Sequence, residues 1–207
     1  HSISEGVTYL ETDEGLIPIE IFGKHNLSNL SGAKWICQLI GVDEDDFFQA
    51  ISTFKGASKR LELLYKGKTC YLFKDFAHAP SKVKATTQAV KEQFPDSKLV
   101  ACLELHTFSS LDLTFILHYR HTLEKADLPI VFYDPEALKI KNRIPISEID
   151  IINSFNDDRI NVLTRPKELE CFLLNQDFNQ TVLLMMSSGN FGGIIWDNLS
   201  KQFHLKV

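Results

Sequence analysis

Residues 99–105 read LVACLEL and residues 181–187 read TVLLMMS. Each is a short apolar run with almost no polar alternation. A strand with one wet face alternates, whereas a strand that is apolar at nearly every position is covered on both faces. TCYLFKD (69–75), PIVFYD (129–134) and INVLT (160–164) are of the same kind. Helical spacing fills the intervals, over 81–94, 112–125, a short stretch near 147–154, 166–175 and about 193–203. Alternation of this sort predicts an α/β fold: a Rossmann-like, mostly parallel sheet with helices on both faces. In such sheets a ligand sits beyond the carboxyl ends of the strands.

The first part of the chain has a different pattern. VTYLET (7–12) and LIPIEIF (16–22) read as a hairpin about Glu14-Gly15. From Asn26 the spacing Leu27, Leu30, Ala33, Trp35, Ile36, Leu39, Ile40 is helical, Gly41 is a stop, and a second helix covers roughly 44–54. Two strands and two helices are too little for an independent core. LELLY (61–65) and TCYLFKD then flank a Lys66-Gly67-Lys68 turn. The sequence thus divides into 1–56 and 57–207.

The chain has 207 residues, 44% hydrophobic and 24% charged, enough to bury a sizeable core. A net charge of -5 argues against a nonspecific nucleic-acid or anionic-membrane binder. No run reaches the ~18 apolar residues of a membrane span, and no basic-then-apolar leader is present. The start, HSISEGVTYLET, has no initiator Met, so further polypeptide is expected upstream. Cys37, Cys70, Cys102 and Cys171 are widely spaced in apolar runs and read as buried free thiols of a cytoplasmic protein. His118 and His121 have no Glu or Cys nearby to complete a metal set and read as surface or interface histidines; no metal site is expected in this segment.

Polar groups cluster at the expected strand ends. After 69–75 comes Asp75-Phe76-Ala77-His78-Ala79-Pro80, after 99–105 comes His106-Thr107-Phe108-Ser109-Ser110, and after 181–187 comes Ser188-Gly189-Asn190-Phe191-Gly192-Gly193. Asp75 suits sugar hydroxyls; His78 and His106 suit anionic oxygens or proton exchange. The glycine run lets backbone N–H groups approach a ligand. Each group also has a plainer reading: Asp75 as a cap, the histidines as structural, SGNFGG as a weak match to G-x-G-x-x-G. At the start of the first helix, GKHNLSN (23–29) places a histidine and two amides where a packed core prefers Leu or Ala.

GKHNLSNLSGA, FKGASKRLEL and KDFAHAPSKVKAT, in this order and with these gaps, resemble the second half of a Mur ligase, the ATP-dependent amide-forming enzymes of peptidoglycan synthesis and recycling. The resemblance runs from about residue 5 to the C-terminus. Within the family it is to enzymes that extend UDP-N-acetylmuramate itself. SSGNFGGI is similar to the S-N-G-G-F-G-G ending of the branch that adds the peptide L-alanyl-γ-D-glutamyl-meso-diaminopimelate. The resemblance implies that His25 and Asn29 contact the adenine of ATP, an amide being able to pair with N6 and N7. It implies that Arg60 reaches the phosphates through its planar fork of donors, and that Asp75 binds the ribose. Phe76 and His78 would face the incoming amine and the acyl phosphate, with His78 and Arg60 the catalytic pair. His106, Thr107 and Ser110 would lie on the substrate side.

Three departures matter. Where the L-alanine-adding enzymes read H-R-[FY]-[ST]-R, this chain reads His106-Thr107-Phe108-Ser109-Ser110, so two arginines are replaced, which favours a larger peptide acceptor over L-alanine. Ala79 stands for the second histidine of D-Y-G-H-H-P, and Lys59 for the first basic residue of the R-R pair. No G-x-x-x-x-G-K-[ST] loop is present; Gly23-Lys24 runs into His25. By resemblance that loop, the Mg²⁺ ligands and the UDP-binding domain precede His1, so 1–56 would be the end of the central ATP-binding domain and 57–207 the C-terminal domain, hinged near Phe54–Ala57 with Gly56 the permissive point. The partners implied are UDP-N-acetylmuramate and an amino acid or peptide, and the chain alone would be inactive. A noncatalytic Rossmann-like nucleotide-binding module is the alternative from another class; a nicotinamide dehydrogenase fails for want of the first βα glycine fingerprint.

Overall fold

The computed structural model describes residues 1–13, 15–140, 146–194 and 199. It has two sheets. β1 (Ser2–Ser4), β2 (Val7–Thr12) and β3 (Gly15–Ile19) form an antiparallel meander, with Thr12 opposite Gly15 at the turn. The turn residue Glu14 lies outside the described residues. α1 (Lys24–Leu39) and α2 (Glu44–Ser52) cover this sheet, and Ile19, Leu30 and Phe47 are its only fully buried apolar residues among those described. That small core cannot stand alone. Phe22, just before α1, is instead buried in the larger core, edge-on to Phe73 at 5.4 Å and to Phe94 at 6.0 Å.

The second sheet has six strands: β4 (Glu62–Lys66), β5 (Cys70–Asp75), β6 (Lys98–Glu104), β7 (Leu128–Phe132), β8 (Asn161–Leu163) and β9 (Thr181–Met186), in the order β4-β5-β9-β6-β7-β8. β4 pairs antiparallel at the edge; all other pairs are parallel. Every residue of β9 is buried, and all of β6 but Lys98, which is why their sequences show no alternation. α3 (Pro80–Gln93) and α5 (Glu148–Phe155) pack on one face, α6 (Pro166–Leu174) on the other. The chain steps from β5 through β8 in one direction, then returns over α6 to insert β9 between β5 and β6. A right-handed crossover that reverses direction must change face, and α6 does.

Most expected elements appear within a few residues of their expected bounds. The helix expected over 112–125 does not. The segment is a loop with one 3-10 turn at Ile116–Tyr119. Asp112 ties the N–H groups of Thr114 and Phe115, Tyr119 donates its hydroxyl to the His78 carbonyl and stacks on Phe155, and His121 takes a left-handed φ of 60°. β-branched and aromatic residues had little helix propensity to oppose this. A short α4 (Pro135–Ile140) was not foreseen. The helix expected over 193–203 lies largely outside the described residues, although Leu199 is buried in the α6-side core. Of the four cysteines, all free, only Cys70 and Cys102 are buried; Cys37 is half-buried and Cys171 is exposed on α6, so the expectation of four buried thiols is corrected.

Candidate functional site

One cavity, of about 380 Å³, opens between the first turns of α1, the corner before β4, the end of β5 and the start of α3. It is lined by His25, Asn29, Arg60, Asp75 and Phe76 together. Five residues singled out from three separate motifs thus meet at one place, and residues from both sides of position 56 line the cavity. The entry to α1 needs a glycine: Gly23 has φ +88°, and a Cβ there would lie 2.7 Å from that of Ala89 on α3. That close approach brings His25 onto the α3 side. Burial lowers the His25 pKa; Asp75 opposes and Arg60 adds to the effect. The adjacent Asn26 amide donates to the Phe22 carbonyl at 2.9 Å, leaving Asn29, one turn on, as the exposed amide of the pocket.

Asp75 organises the opposite wall. It is 7% exposed; Oδ2 accepts the Leu61 N–H at 2.7 Å and Oδ1 the Ala77 N–H at 2.6 Å. Lys59 and Leu61 have left-handed φ values of 59° and 46°, on either side of Arg60. Such a conformation costs a non-glycine residue about 1–3 kcal/mol and persists only where the surroundings enforce it. Here the enforcers are Asp75 on Leu61 and the Phe76 N–H, which donates to the Lys59 carbonyl at 2.8 Å. The strained corner aims an exposed guanidinium at the cavity. Asp75 is therefore a brace as well as a pocket wall, which its position in the sequence alone did not disclose.

His78 stands beside the cavity rather than in its lining. Its Nδ1 is 2.9 Å from the Phe76 carbonyl, to which it donates, so Nε2 is the outward nitrogen. Its ring is edge-on to exposed Phe76 at 5.1 Å. His106 lies two strands away, 3.7 Å from Glu104. Thr107 and Ser110 bond to each other: the Thr107 hydroxyl is 3.0 Å from Ser110 Oγ and accepts the Ser110 N–H at 3.1 Å, and Ser110 is 1% exposed. Ser110 shapes this loop from within.

Sequence reasoning missed Ser81, Lys82, Ala85 and Thr86, which line the cavity from α3. Their i, i+3, i+4 spacing at the start of a helix after a strand end was the available signal. Lys82 adds a second cation to Arg60, and α3 starts with Pro80 and no side-chain cap, an end that suits anions. Among the described residues no group of three His, Cys, Asp or Glu can hold a metal ion, and no helix is long and apolar enough to cross a membrane.

The sequence and the fold of the chain are similar to those of known proteins. A UDP-N-acetylmuramate–L-alanine ligase of Agathobacter rectalis is 31% identical over 189 residues, 89% of this chain and 40% of that protein. Over most of its length the chain is similar to Mur ligases. Solved structures share the fold: a UDP-N-acetylmuramate–alanine ligase of Thermotoga maritima superposes with a TM-score of 0.66 at 20% identity, over 92% of this chain and 39% of that one. A murein peptide ligase of Psychrobacter arcticus does so at 0.56 and 21% identity, over 93% and 40%. No family model matches the chain. The chain spans about two fifths of the length of the Mur ligase relatives it matches.

Proposed function

We propose that the full-length protein is an ATP-dependent ligase that joins an amine to UDP-N-acetylmuramate by way of an acyl phosphate. The observation that carries this is the convergence of His25, Asn29, Arg60 and Asp75 on one cavity at the division between the two sheets. In this reading 1–56 ends the central ATP-binding domain and 57–207 is the C-terminal domain. ATP fits the donor set. Adenine lies by neutral His25 and the Asn29 amide, the ribose by Asp75, and the phosphates by Arg60 and Lys82. A carboxylate oxygen that accepts one backbone N–H still has a lone pair for a hydroxyl. By the resemblance, the ligands for Mg²⁺ would come from upstream sequence; among the described residues no group of three His, Cys, Asp or Glu is placed to hold a metal ion. The exposed apolar face of α1, with Trp35, Ile36, Leu39 and Ile40, would pack on that upstream part of the domain.

The chemistry requires charge neutralisation and alignment more than bond-making by the protein. Arg60 offsets charge on the transferred phosphoryl group, while Phe76 and His78 border the place where the amine meets the acyl phosphate. Gly56, at φ +94°, is the pivot on which the C-terminal domain closes over the nucleotide.

The acceptor we assign is the peptide L-alanyl-γ-D-glutamyl-meso-diaminopimelate. Thr107 and Ser110 stand where an L-alanine clamp has two arginines, and Ser110 is buried. L-alanine is the second reading, supported by the relatives named above. The test is a product assay of the full-length enzyme with ATP and UDP-N-acetylmuramate, offering L-alanine or the tripeptide. The peptide reading predicts ADP release and a UDP-muramyl product with the tripeptide. Turnover with L-alanine alone reverses the assignment, and turnover with neither rejects the ligase.

A further inference from the structure

Residues 76–79 join β5 to α3, and their placement decides two walls of the cavity. Phe76 and Ala77 line it from this turn, and Ser81 and Lys82 line it from the helix that the turn starts. The turn is tied group by group. The Phe76 N–H donates to the Lys59 carbonyl at 2.8 Å, the Ala77 N–H to Asp75 at 2.6 Å, and the His78 ring to the Phe76 carbonyl at 2.9 Å. The His78 carbonyl is served from farther off. It accepts the hydroxyl of Tyr119, 41 positions on, in the 3-10 turn between β6 and β7.

The helix entry behind that carbonyl gives the bond its weight. α3 begins at Pro80, which has no N–H to be held. Its N-cap, Ala79, is extended at ψ 143° and makes no side-chain bond to the N–H groups of the first turn. A helix start that a polar cap would normally align is here aligned by a carbonyl fixed from outside. The group that fixes it has little freedom of its own. Tyr119 is 1% exposed, and its ring stacks on that of Phe155 at 5.3 Å. Its own carbonyl accepts the Thr122 hydroxyl at 2.7 Å and the Thr122 N–H at 3.0 Å. A buried phenol needs a partner for its hydroxyl, and the His78 carbonyl is that partner.

We propose that Tyr119 is a positioning residue for the nucleotide site. By holding the His78 carbonyl it sets the peptide that leads into α3, and with it where Phe76, Ala77, Ser81 and Lys82 meet the ligand. Tyr119 touches no ligand itself, since it does not line the cavity. The proposal rests on the nucleotide reading given above and adds to it a support from outside the site, one that runs from α5 through the Phe155 ring and the Tyr119 hydroxyl to the start of α3. Without the hydroxyl the turn samples other orientations, and apparent affinity falls with the fraction of molecules in which it is correctly set.

The molecule supplies its own control. Tyr133 is also buried and donates its hydroxyl to a backbone carbonyl, that of Ile146, at 2.8 Å, and neither residue lines the cavity. Tyr119→Phe and Tyr133→Phe, made in the full-length protein, each remove one buried phenol hydroxyl, keep the ring and leave a carbonyl behind. Equilibrium titration with ATP separates them. The Kd is expected to rise about 3- to 10-fold in Tyr119→Phe, the range that one hydrogen bond's worth of alignment allows. In Tyr133→Phe it should stay within about 2-fold, as a site remote from the turn requires. Hydrogen exchange without ATP should speed up at residues 76–83 in Tyr119→Phe and not in Tyr133→Phe. An unchanged Kd in Tyr119→Phe overturns the proposal, even if exchange at 76–83 speeds up. An equal rise in both variants also overturns it, because the effect is then a general loosening. A wild-type protein that does not bind ATP rejects the nucleotide reading, and the proposal with it.

Discussion

At Arg60 the backbone on both sides is strained, and the residue that enforces the strain, Asp75, is a neighbour across the cavity. The corner fixes the backbone from which the guanidinium extends, and the planar fork of donors suits phosphate. Arg60→Ala in the full-length enzyme is expected to lower kcat/KM for ATP roughly 10- to 100-fold, the equivalent of losing one or two charge-assisted hydrogen bonds. Steady-state kinetics at varied ATP measures it, and unchanged turnover removes Arg60 from the mechanism. His25 carries a pH signature. Its folded pKa lies below its usual 6.5 chiefly because burial disfavours the cation. The stability linked to it is therefore fully present above 6.5 and is lost as pH falls through the lowered value, because the unfolded state binds the proton first. Nucleotide affinity should weaken over the same range, and His25→Gln should flatten that dependence in a binding titration. The histidine, the amide, the arginine and the aspartate were legible in the sequence because they stand in motifs. Tyr119 was not. A tyrosine in a run whose spacing suits a helix looks like one more core residue until the carbonyl it serves, 41 positions away, is brought to it.

Elements were legible in proportion to how local their causes are. β6 and β9 declare themselves because burial on both faces is written into every position. The segment at 112–125 misled because its spacing suits a helix, whereas its conformation is set by distant groups: the His78 carbonyl that takes the Tyr119 hydroxyl, and Phe155 beneath the ring. Burial also lifts the Tyr119 pKa to about 12, so it remains a donor throughout the ordinary pH range. Strand order was equally hidden, since nothing in β9 itself says that it fits between β5 and β6. The contact between α1 and α3 gives an element-scale prediction. Gly23→Ala combines a left-handed φ with a 2.7 Å clash against Ala89. It should destabilise the protein by about 1–3 kcal/mol in urea unfolding and displace His25 from the cavity. A variant as stable as wild type would mean that α1 and α3 need not approach so closely.

In the molecule as a whole, the small meander depends on the large sheet. Besides Phe22, the link is Gln93 at the end of α3, which accepts the Thr8 hydroxyl at 3.0 Å and donates to the Gly6 carbonyl at 2.7 Å, with Gln93 and Thr8 both buried. Gln93→Leu strands both partners and should cost about 1–3 kcal/mol. Hydrogen exchange should then speed up at residues 6–10 more than in β6 or β9, and equal protection in all three would deny the link. This contact lies at the last residue of α3, whereas the first turns of the same helix line the cavity, where the proposed nucleotide site draws on three separate motifs. The most direct test of that site is to photolabel the full-length protein with 8-azido-ATP and map the adducts by mass spectrometry. Labelling within 23–34, suppressed by excess ATP and reduced in Asn29→Ala, is the expected result; ATP-protected labelling that lies elsewhere in the chain and spares this segment would contradict the account.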